Sequence, residues 1–372
     1  MIKVLLCSPY LSSPNVVPGG INTWARYIIS YAEEYSQHNV QLIPVSFDRQ
    51  TLITDSYSFV KRVIRGVREQ KKPIKETIQK MNSQKPDVMH LCTSCGLGLL
   101  RDYILVKAAR KRGIKVTYHL HFGRVPELVD QNNWEWKLLS KIIYLCDVCI
   151  VMNRPCEKAL KEAGFNNISY LPNPLGMDVL NQIKEEEGKY ERASKRLLFV
   201  GHVYKTKGVL ELVEACSRIP NVELRIAGKY TEQMRADLEG IALKRARGGW
   251  LQFLDEIPHE QVIKEFYKAD LFVFPSYTEG FPNVILEAMA CGCPIVSSDV
   301  GAIPEMLDID GEACGICFKP QSADEVYRAV TSLIDDAELK KLYSSRGINR
   351  VNSLYAIPEV WEQISSIWKN LH

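Results

Sequence analysis

The sequence predicts an α/β protein of two domains, each a parallel sheet covered by helices, and three observations carry that prediction. Short apolar runs of strand length alternate with amphipathic helical stretches, the pattern of a parallel sheet buried on both faces. The alternation pauses at Leu171-Pro172-Asn173-Pro174 and a charged stretch from Lys184 to Arg196, then restarts with Arg196-Leu-Leu-Phe-Val200. A chain of 372 residues also exceeds what one hydrophobic core usually supports, so two domains of roughly 150 to 200 residues each are expected.

In order, the first half gives strands at 2–7, 41–46, 87–91, 114–119, 147–152 and 168–171. Helices follow near 22–37, 59–80, 98–112, 134–145 and 154–163, where the apolar spacing changes to three and four. In the second half the strand at 196–200 precedes a helix from Val209 to Ser217. Strands at 222–227, 251–253, 271–274 and 294–297 then alternate with helices at 231–246, 259–268, 283–291 and 322–335. The last stretch, from Leu354 through Trp361 and Trp368, reads as a helix with an aromatic face that crosses back onto the first domain. The expected division is 1–172 with 353–372, and 173–352: two facing Rossmann-like domains whose closure over a cleft would be needed for catalysis.

Composition narrows the function. Hydrophobic residues at 46% and charged residues at 24% match soluble globular averages, which excludes a disordered, fibrous or disulfide-built chain. A net charge of +3 gives no field suited to nucleic acid. The apolar run Met1 to Cys7 is too short for a signal segment and reads as the first strand. No stretch approaches the roughly 18 apolar residues of a spanning helix, so a cytoplasmic, at most peripheral, protein is expected. Cysteines at Cys92/Cys95, Cys146/Cys149 and Cys314/Cys317, with Cys291/Cys293, invite a zinc reading. They fall in strand-like or small-residue contexts without a partner pair at zinc-ribbon distance, and read as reduced thiols.

Each half's opening strand runs into glycine: Pro18-Gly19-Gly20 before the first helix, and Gly201 then Lys207-Gly208 before the helix at Val209. Neither is a GxGxxG fingerprint. Both still offer free amides and the positive end of a helix dipole to a phosphate. Strand Asp270-Leu-Phe-Val-Phe274 ends in a turn leading to Glu279, and Glu287 follows eight residues later, one turn into a helix. Ligands of open parallel sheets gather at carboxyl ends of strands, so this turn and the Gly201 loop should meet at one crevice.

The run Glu279-Gly-Phe-Pro-Asn-Val-Ile-Leu-Glu287-Ala-Met-Ala-Cys-Gly-Cys-Pro294 resembles the E-x7-E motif of the family-4 retaining glycosyltransferases with the GT-B fold. Pro18-Gly19-Gly20, Lys85-Pro-Asp-Val88 with His90, and Leu171-Pro-Asn-Pro174 are similar to that family's first phosphate loop, strand motif and interdomain linker, so the resemblance spans the chain. It implies a metal-independent hexosyl transfer from a nucleoside diphosphate sugar, a co-substrate with no further cofactor, to a saccharide or lipid-linked acceptor hydroxyl. Lys207 would hold the donor diphosphate together with Gly19, Gly20 and Gly201, with His202 where an arginine is usual. Glu287 would take the ribose hydroxyls and Glu279 the donor sugar, with Gly280, Phe281 and Asn283 amides nearby and Glu305 close to the diphosphate. Pro282 replaces the family's usual glycine and removes one amide. Front-face displacement, in which the leaving phosphate helps take the acceptor proton, is implied in place of a covalent carboxylate intermediate. His121 is the catalytic candidate of the first half, beside Lys207 and Glu279 in the second, and His119 is the second choice.

His119 and His121 lie two apart at a strand end and could hold a metal, but no third histidine or carboxylate is evident beside them, and no metal site is assigned. Asp308-Ile-Asp310 imitates a manganese-binding DxD and reads as surface. Residues 59–80 hold eight Lys or Arg against two Glu around apolar Val60, Val63, Ile64 and Val67, a basic amphipathic stretch suited to an anionic membrane. Two rival functions fit the same architecture. A nucleotide-sugar epimerase would need carboxylates on both cleft walls, and a silent nucleotide-sugar-binding scaffold is suggested by His202 and Pro282. A bacterial surface polysaccharide or glycolipid is the product class suggested by analogy.

Overall fold

The computed structural model describes residues 1–9, 19–35, 39–47, 70–243 and 249–372. The chain divides into two compact units: Met1–Pro174 with Ile357–His372, and Leu175–Ala356.

Unit 1 runs β1 (Ile2–Ser8), α1 (Gly20–Tyr35), β2 (Val40–Ser46), α2 (Lys71–Gln84), β3 (Val88–Thr93), α3 (Gly98–Arg110) and β4 (Lys115–Leu120). It continues with α4 (Val125–Gln131), α5 (Trp134–Leu145), β5 (Val148–Val151), α6 (Arg154–Glu162) and β6 (Ile168–Tyr170). The six strands form one parallel sheet in the order β2-β1-β3-β4-β5-β6. All six β3 residues are buried, as a strand with helices on both faces requires. Because β2 lies on one side of β1 and β3 on the other, the sheet reverses its winding between β1 and β3.

Unit 2 runs α7 (Met177–Glu186), β7 (Arg196–Val200), α8 (Val209–Ser217), β8 (Glu223–Ala227), α9 (Glu232–Ala242), β9 (Leu251–Asp255) and α10 (His259–Lys268). Next come β10 (Leu271–Phe274), α11 (Asn283–Ala290), β11 (Ile295–Ser298), α12 (Ile303–Leu307), β12 (Gly315–Phe318), α13 (Ala323–Ile334) and α14 (Ala337–Arg350). Its parallel sheet has the order β12-β11-β10-β7-β8-β9, so the winding reverses between β7 and β10. Ligands of doubly wound sheets bind beyond the carboxyl ends of the strands at such a reversal. The loops that follow β7 and β10 therefore lie where a ligand of such a sheet would bind. A π-helical turn, Val351–Tyr355, ends α14, and α15 (Ile357–Leu371) belongs to unit 1. It buries Val360, Trp361, Ile364 and Trp368, the aromatic face expected from the sequence, and Trp361 meets Tyr31 of α1 at 5.7 Å between ring centroids.

The two predicted sheets form, with corrections. Division falls at Pro174/Leu175 and Ala356/Ile357, against the expected 172/173 and 352/353. Helices α4, α7, α12 and α14 and strand β12 are not among the elements the sequence predicts. Helix α7 shows only Val179 and Ile183 as buried apolar residues before its polar tail, and α14 buries no large apolar side chain, only Gly347 and Arg350. Strand β12 is four residues containing Gly315 and Cys317. Of the basic stretch 59–80, α2 begins at Lys71 and residues 59–69 lie outside the described residues.

One part of the charged stretch is structural. Arg192 donates to the carbonyls of Phe266 (3.1 Å) and Ala269 (2.7 Å) near the end of α10, and to Cys291 (3.1 Å) and Gly292 (2.7 Å) just past α11. A guanidinium placed there answers carbonyls with no intrahelical partner and the negative ends of two helix dipoles. It fixes α11, which carries Glu287, from its carboxyl end.

Candidate functional site

In unit 2, β7 ends in Gly201, whose φ of +146° only glycine adopts readily. The backbone passes against β8's end so closely that a Cβ on Gly228 would lie 2.0 Å from the Gly201 carbonyl oxygen. The chain then makes a 3-10 turn over Lys205–Lys207 and reaches Gly208 at φ +69°, immediately before α8. A Cβ on Gly208 would stand 2.1 Å from the Pro275 carbonyl oxygen, so glycine is required for the β7 loop to press against the β10 loop. The Tyr277 amide donates to the Thr206 carbonyl at 2.9 Å, and the Tyr277 hydroxyl donates to Glu211 at 2.6 Å.

This lacing brings Lys207 to Glu279. The ammonium donates to the Glu279 carboxylate at 2.5 Å and lies 5.5 Å from the centroid of the Phe274 ring. The two loops expected to share one crevice do meet. Glu279 is held from its other side by a third loop, where Gly301 at φ +58° leaves no room for a side chain, its Cβ position being 2.3 Å from the Glu279 carbonyl oxygen. The Ala302 amide donates to the Gly280 carbonyl at 3.0 Å.

Pro282 occupies the N-cap of α11 with extended backbone and no side-chain cap. Its missing N–H costs little in hydrogen bonding there, because amides at a helix start have no intrahelical acceptor. Asn283 is the first helical residue. Phe281 turns inward: its side chain is buried and packs edge-on against Tyr355 at 5.7 Å. Glu287 is buried in α11, and its carboxylate lies 3.1 Å from His259 Nε2 at the start of α10. His259 was not foreseen, since nothing in the sequence links the start of one helix to the middle of the next. Glu305 sits in the first turn of α12. His202 is exposed and stacks on Tyr204 at 5.5 Å. Asp308 and Asp310 are both exposed in a turn, Asp308 accepting from the Gly311 amide at 2.9 Å, which agrees with a surface role.

In unit 1, Gly19 and Gly20 are exposed at the start of α1, and a Cβ on either would meet nothing among the described residues. Only their amides distinguish them. His119 is buried within β4, and His121 follows the strand with its amide on the Thr93 carbonyl at 2.9 Å. The expectation that no third histidine stands beside them is corrected here: His90 of β3 places Nε2 3.3 Å from His119 Nδ1. Adjacent parallel strands bring together residues 29 apart in sequence, a pairing no local spacing reveals. Trp24 of α1 stacks on His90 and meets His119 and His121 edge-on, each at 5.0 Å. Burial, with no counter-charge beside them among the described residues, holds all three imidazoles neutral. It lowers His90 and His121 to about 3 and His119 far below its usual range, neighbouring histidines adding to the shift for His119 and His121.

Residues 181–350 match the family of glycosyl transferases group 1. O-antigen chain mannosyltransferase B of Escherichia coli is 30% identical over 156 residues, 41% of this chain and 40% of that protein. The putative teichuronic acid biosynthesis glycosyltransferase TuaC of Bacillus subtilis is 29% identical over 194 residues, 50% of this chain and 46% of its own length. The matched stretches of these two relatives are thus less than half of their length. Sucrose-phosphate synthase from Thermosynechococcus elongatus superposes with a TM-score of 0.74 at 19% identity, covering 100% of this chain and 99% of that one. Anabaena HepE in complex with UDP-glucose gives 0.70 at 16% identity, with 100% of both chains covered. The fold is that of the GT-B glycosyltransferases. Residues 181–350, a little under half of the chain, are thus similar to the group 1 glycosyl transferases.

Proposed function

We propose that the protein is a retaining, metal-independent glycosyltransferase that moves a sugar from a nucleoside diphosphate sugar to an acceptor hydroxyl in surface polysaccharide or glycolipid assembly. The observation that carries this reading is the meeting of Lys207 and Glu279 at the winding reversal of a doubly wound sheet. Loss of the nucleoside diphosphate builds negative charge on its phosphate oxygen while the sugar turns oxocarbenium-like. A fixed ammonium answers the first charge, and preorganised groups of this kind commonly contribute several kcal/mol. Glu279 then orients Lys207 before the donor binds and accepts from sugar hydroxyls once it is bound. Glu287, restrained by His259, accepts from the ribose. Gly201, Gly280, Asn283 and the first turn of α12 at Glu305 complete the donor contacts, and His202 takes the arginine's place.

Unit 1 is assigned acceptor recognition, with His121 and then His119 as its reacting-side candidates, and Gly19 and Gly20 as donors of amides to the diphosphate. The names of the Escherichia coli and Bacillus subtilis relatives support a polysaccharide product. Among the described residues no helix is long and apolar enough to cross a membrane. Peripheral attachment through the basic stretch 59–80 at the inner face belongs to the same proposal. The test is product analysis. Enzyme with EDTA, a matched nucleotide sugar and a saccharide acceptor should form a glycoside whose anomeric configuration, read by proton NMR, is that of the donor. An inverted product, or transfer abolished by EDTA and restored by a divalent ion, would contradict the reading.

A further inference from the structure

His90 and His119 are joined in a hydrogen-bond chain whose direction a third residue sets. Trp368 of α15 points its indole Nε1 at His90 Nδ1, 3.2 Å away, and His90 Nε2 lies 3.3 Å from His119 Nδ1. All three side chains are fully buried. An indole N–H only donates, and a neutral imidazole carries one proton on one of its two nitrogens. His90 Nδ1 therefore accepts, which leaves the His90 proton on Nε2. That N–H faces His119 Nδ1, which must accept in turn, so the His119 proton sits on Nε2. The neutrality this requires is what burial imposes on both rings.

At the end of the chain stands a donor that no described residue meets. His119 Nε2 is buried and has no hydrogen-bond partner among the described residues, and the same holds for Trp24 Nε1 and His121 Nε2. The rings carrying these atoms touch: Trp24 lies 5.0 Å from each histidine, and His119 and His121 are 3.9 Å apart between centroids. A buried donor left unmet is costly, so such a group is kept where something else supplies the acceptor.

We propose that Trp368 and His90 are positioning residues that lock His119 as an Nε2–H donor, and that this N–H donates to an oxygen of the sugar carried by the nucleotide. The second clause rests on the transferase reading; the first does not. A metal centre is the competing use of the cluster, because ligand atoms of His90, Cys92 and His119 lie within 4.8 Å of one another. A neutral imidazole bound to a metal through Nε2 carries its proton on Nδ1, where it would oppose the Trp368 N–H. Burial also pushes the Cys92 thiol far up, away from the thiolate a metal needs.

The test is tautomer assignment by long-range proton–nitrogen correlation on nitrogen-15 histidine-labelled protein near neutral pH, with signals assigned by substituting each histidine. His90 and His119 should each show a protonated Nε2 and an unprotonated Nδ1. Trp368→Phe keeps an aromatic ring and deletes the donor, and His119 should then populate both tautomers. A wild-type His119 protonated on Nδ1, a wild-type mixture, or a Trp368→Phe protein with His119 unchanged would overturn the lock. Should that variant not fold, the wild-type spectrum decides alone. For the ligand clause, UDP, GDP and ADP are compared with UDP-glucose, GDP-mannose and ADP-glucose. A His119 Nε2 shift with a nucleotide sugar and not with its nucleotide is expected. A nucleotide sugar that raises the melting temperature and leaves Nε2 unmoved overturns the clause with the transferase reading intact. Absence of binding by all six defeats that reading and the clause together, while the lock is judged on the tautomers.

Discussion

Lys207 Nζ and Glu279 Oε1 meet at 2.5 Å, joining the loop after β7 to the loop after β10. Both side chains retain some solvent contact, at 26% and 13% relative exposure, and partly exposed pairs contribute only about 0–1 kcal/mol to stability. The pairing matters for where it holds a positive charge. Lys207→Ala should reduce turnover by roughly 100- to 1,000-fold, the scale of removing one preorganised transition-state contact, while the melting temperature moves little. Steady-state rates and a thermal scan on the same preparation check this, and a Lys207→Ala enzyme as fast as its parent would remove the diphosphate assignment.

Glu287→Gln should act on binding. Carboxylate bonds to hydroxyls are worth about 1.5–3 kcal/mol, so nucleotide affinity is expected to fall some ten- to hundredfold, with the thermal midpoint preserved. Calorimetric titration with the nucleotide that binds the parent protein reads the change. An unaltered affinity would place the ribose elsewhere.

Two glycines separate steric need from amide supply. Gly208→Ala forces a Cβ to 2.1 Å from the Pro275 carbonyl in a left-handed backbone, whereas Gly19→Ala meets open space among the described residues. The first should destabilise unit 2 by more than about 2 kcal/mol, since both strain and overpacking act, and the second by less than about 1 kcal/mol. Urea titrations of both variants decide it. The sequence presented these glycines as equivalent; only the approach of Gly208 to Pro275 in the folded unit distinguishes them.

Much of this molecule was legible because period and turn chemistry are local. The strands at Leu197–Phe199 and Leu271–Phe274 are continuous apolar runs, and the Glu279 to Glu287 spacing survives as a turn and a helix face. What could not be read depends on which elements become neighbours. His90 joins His119 through sheet order, His259 reaches Glu287 from a different helix, and Phe281, expected to offer an amide, spends its ring on Tyr355. Helix α14 escaped because it lacks a buried apolar stripe, and Arg192 lies unremarkably within the charged stretch although its guanidinium gathers four carbonyls.

Arg192→Met should therefore destabilise unit 2 by about 1–3 kcal/mol through lost charge-assisted bonds, and should also weaken nucleotide affinity by loosening α11. A midpoint shift in urea within error of zero would show that water replaces the guanidinium without cost.

The buried histidines of unit 1 set a pH dependence. Their native-state pKa values are lowered, His90 and His121 to about 3, so below the ordinary value of 6.5 the unfolded chain takes up protons that the folded unit refuses. Stability is thus full above pH 6.5 and falls as pH drops from 6.5 toward 3, by at most about 1.4 kcal/mol per pH unit for each histidine. Urea midpoints between pH 7.5 and 5 should decline, less steeply in His90→Gln. A flat profile would mean that the histidines titrate normally in the folded state.

The central claim is a metal-free nucleoside diphosphate site built on Lys207 and Glu287, and a thermal-shift comparison of UDP, GDP and ADP in EDTA tests it most directly, because a ligand bound only by the folded protein must raise its melting temperature. One diphosphate should raise the melting temperature selectively, by the same amount with and without EDTA, and the rise should vanish in Lys207→Ala. No shift with any of the three, or a shift that EDTA abolishes, would contradict the claim.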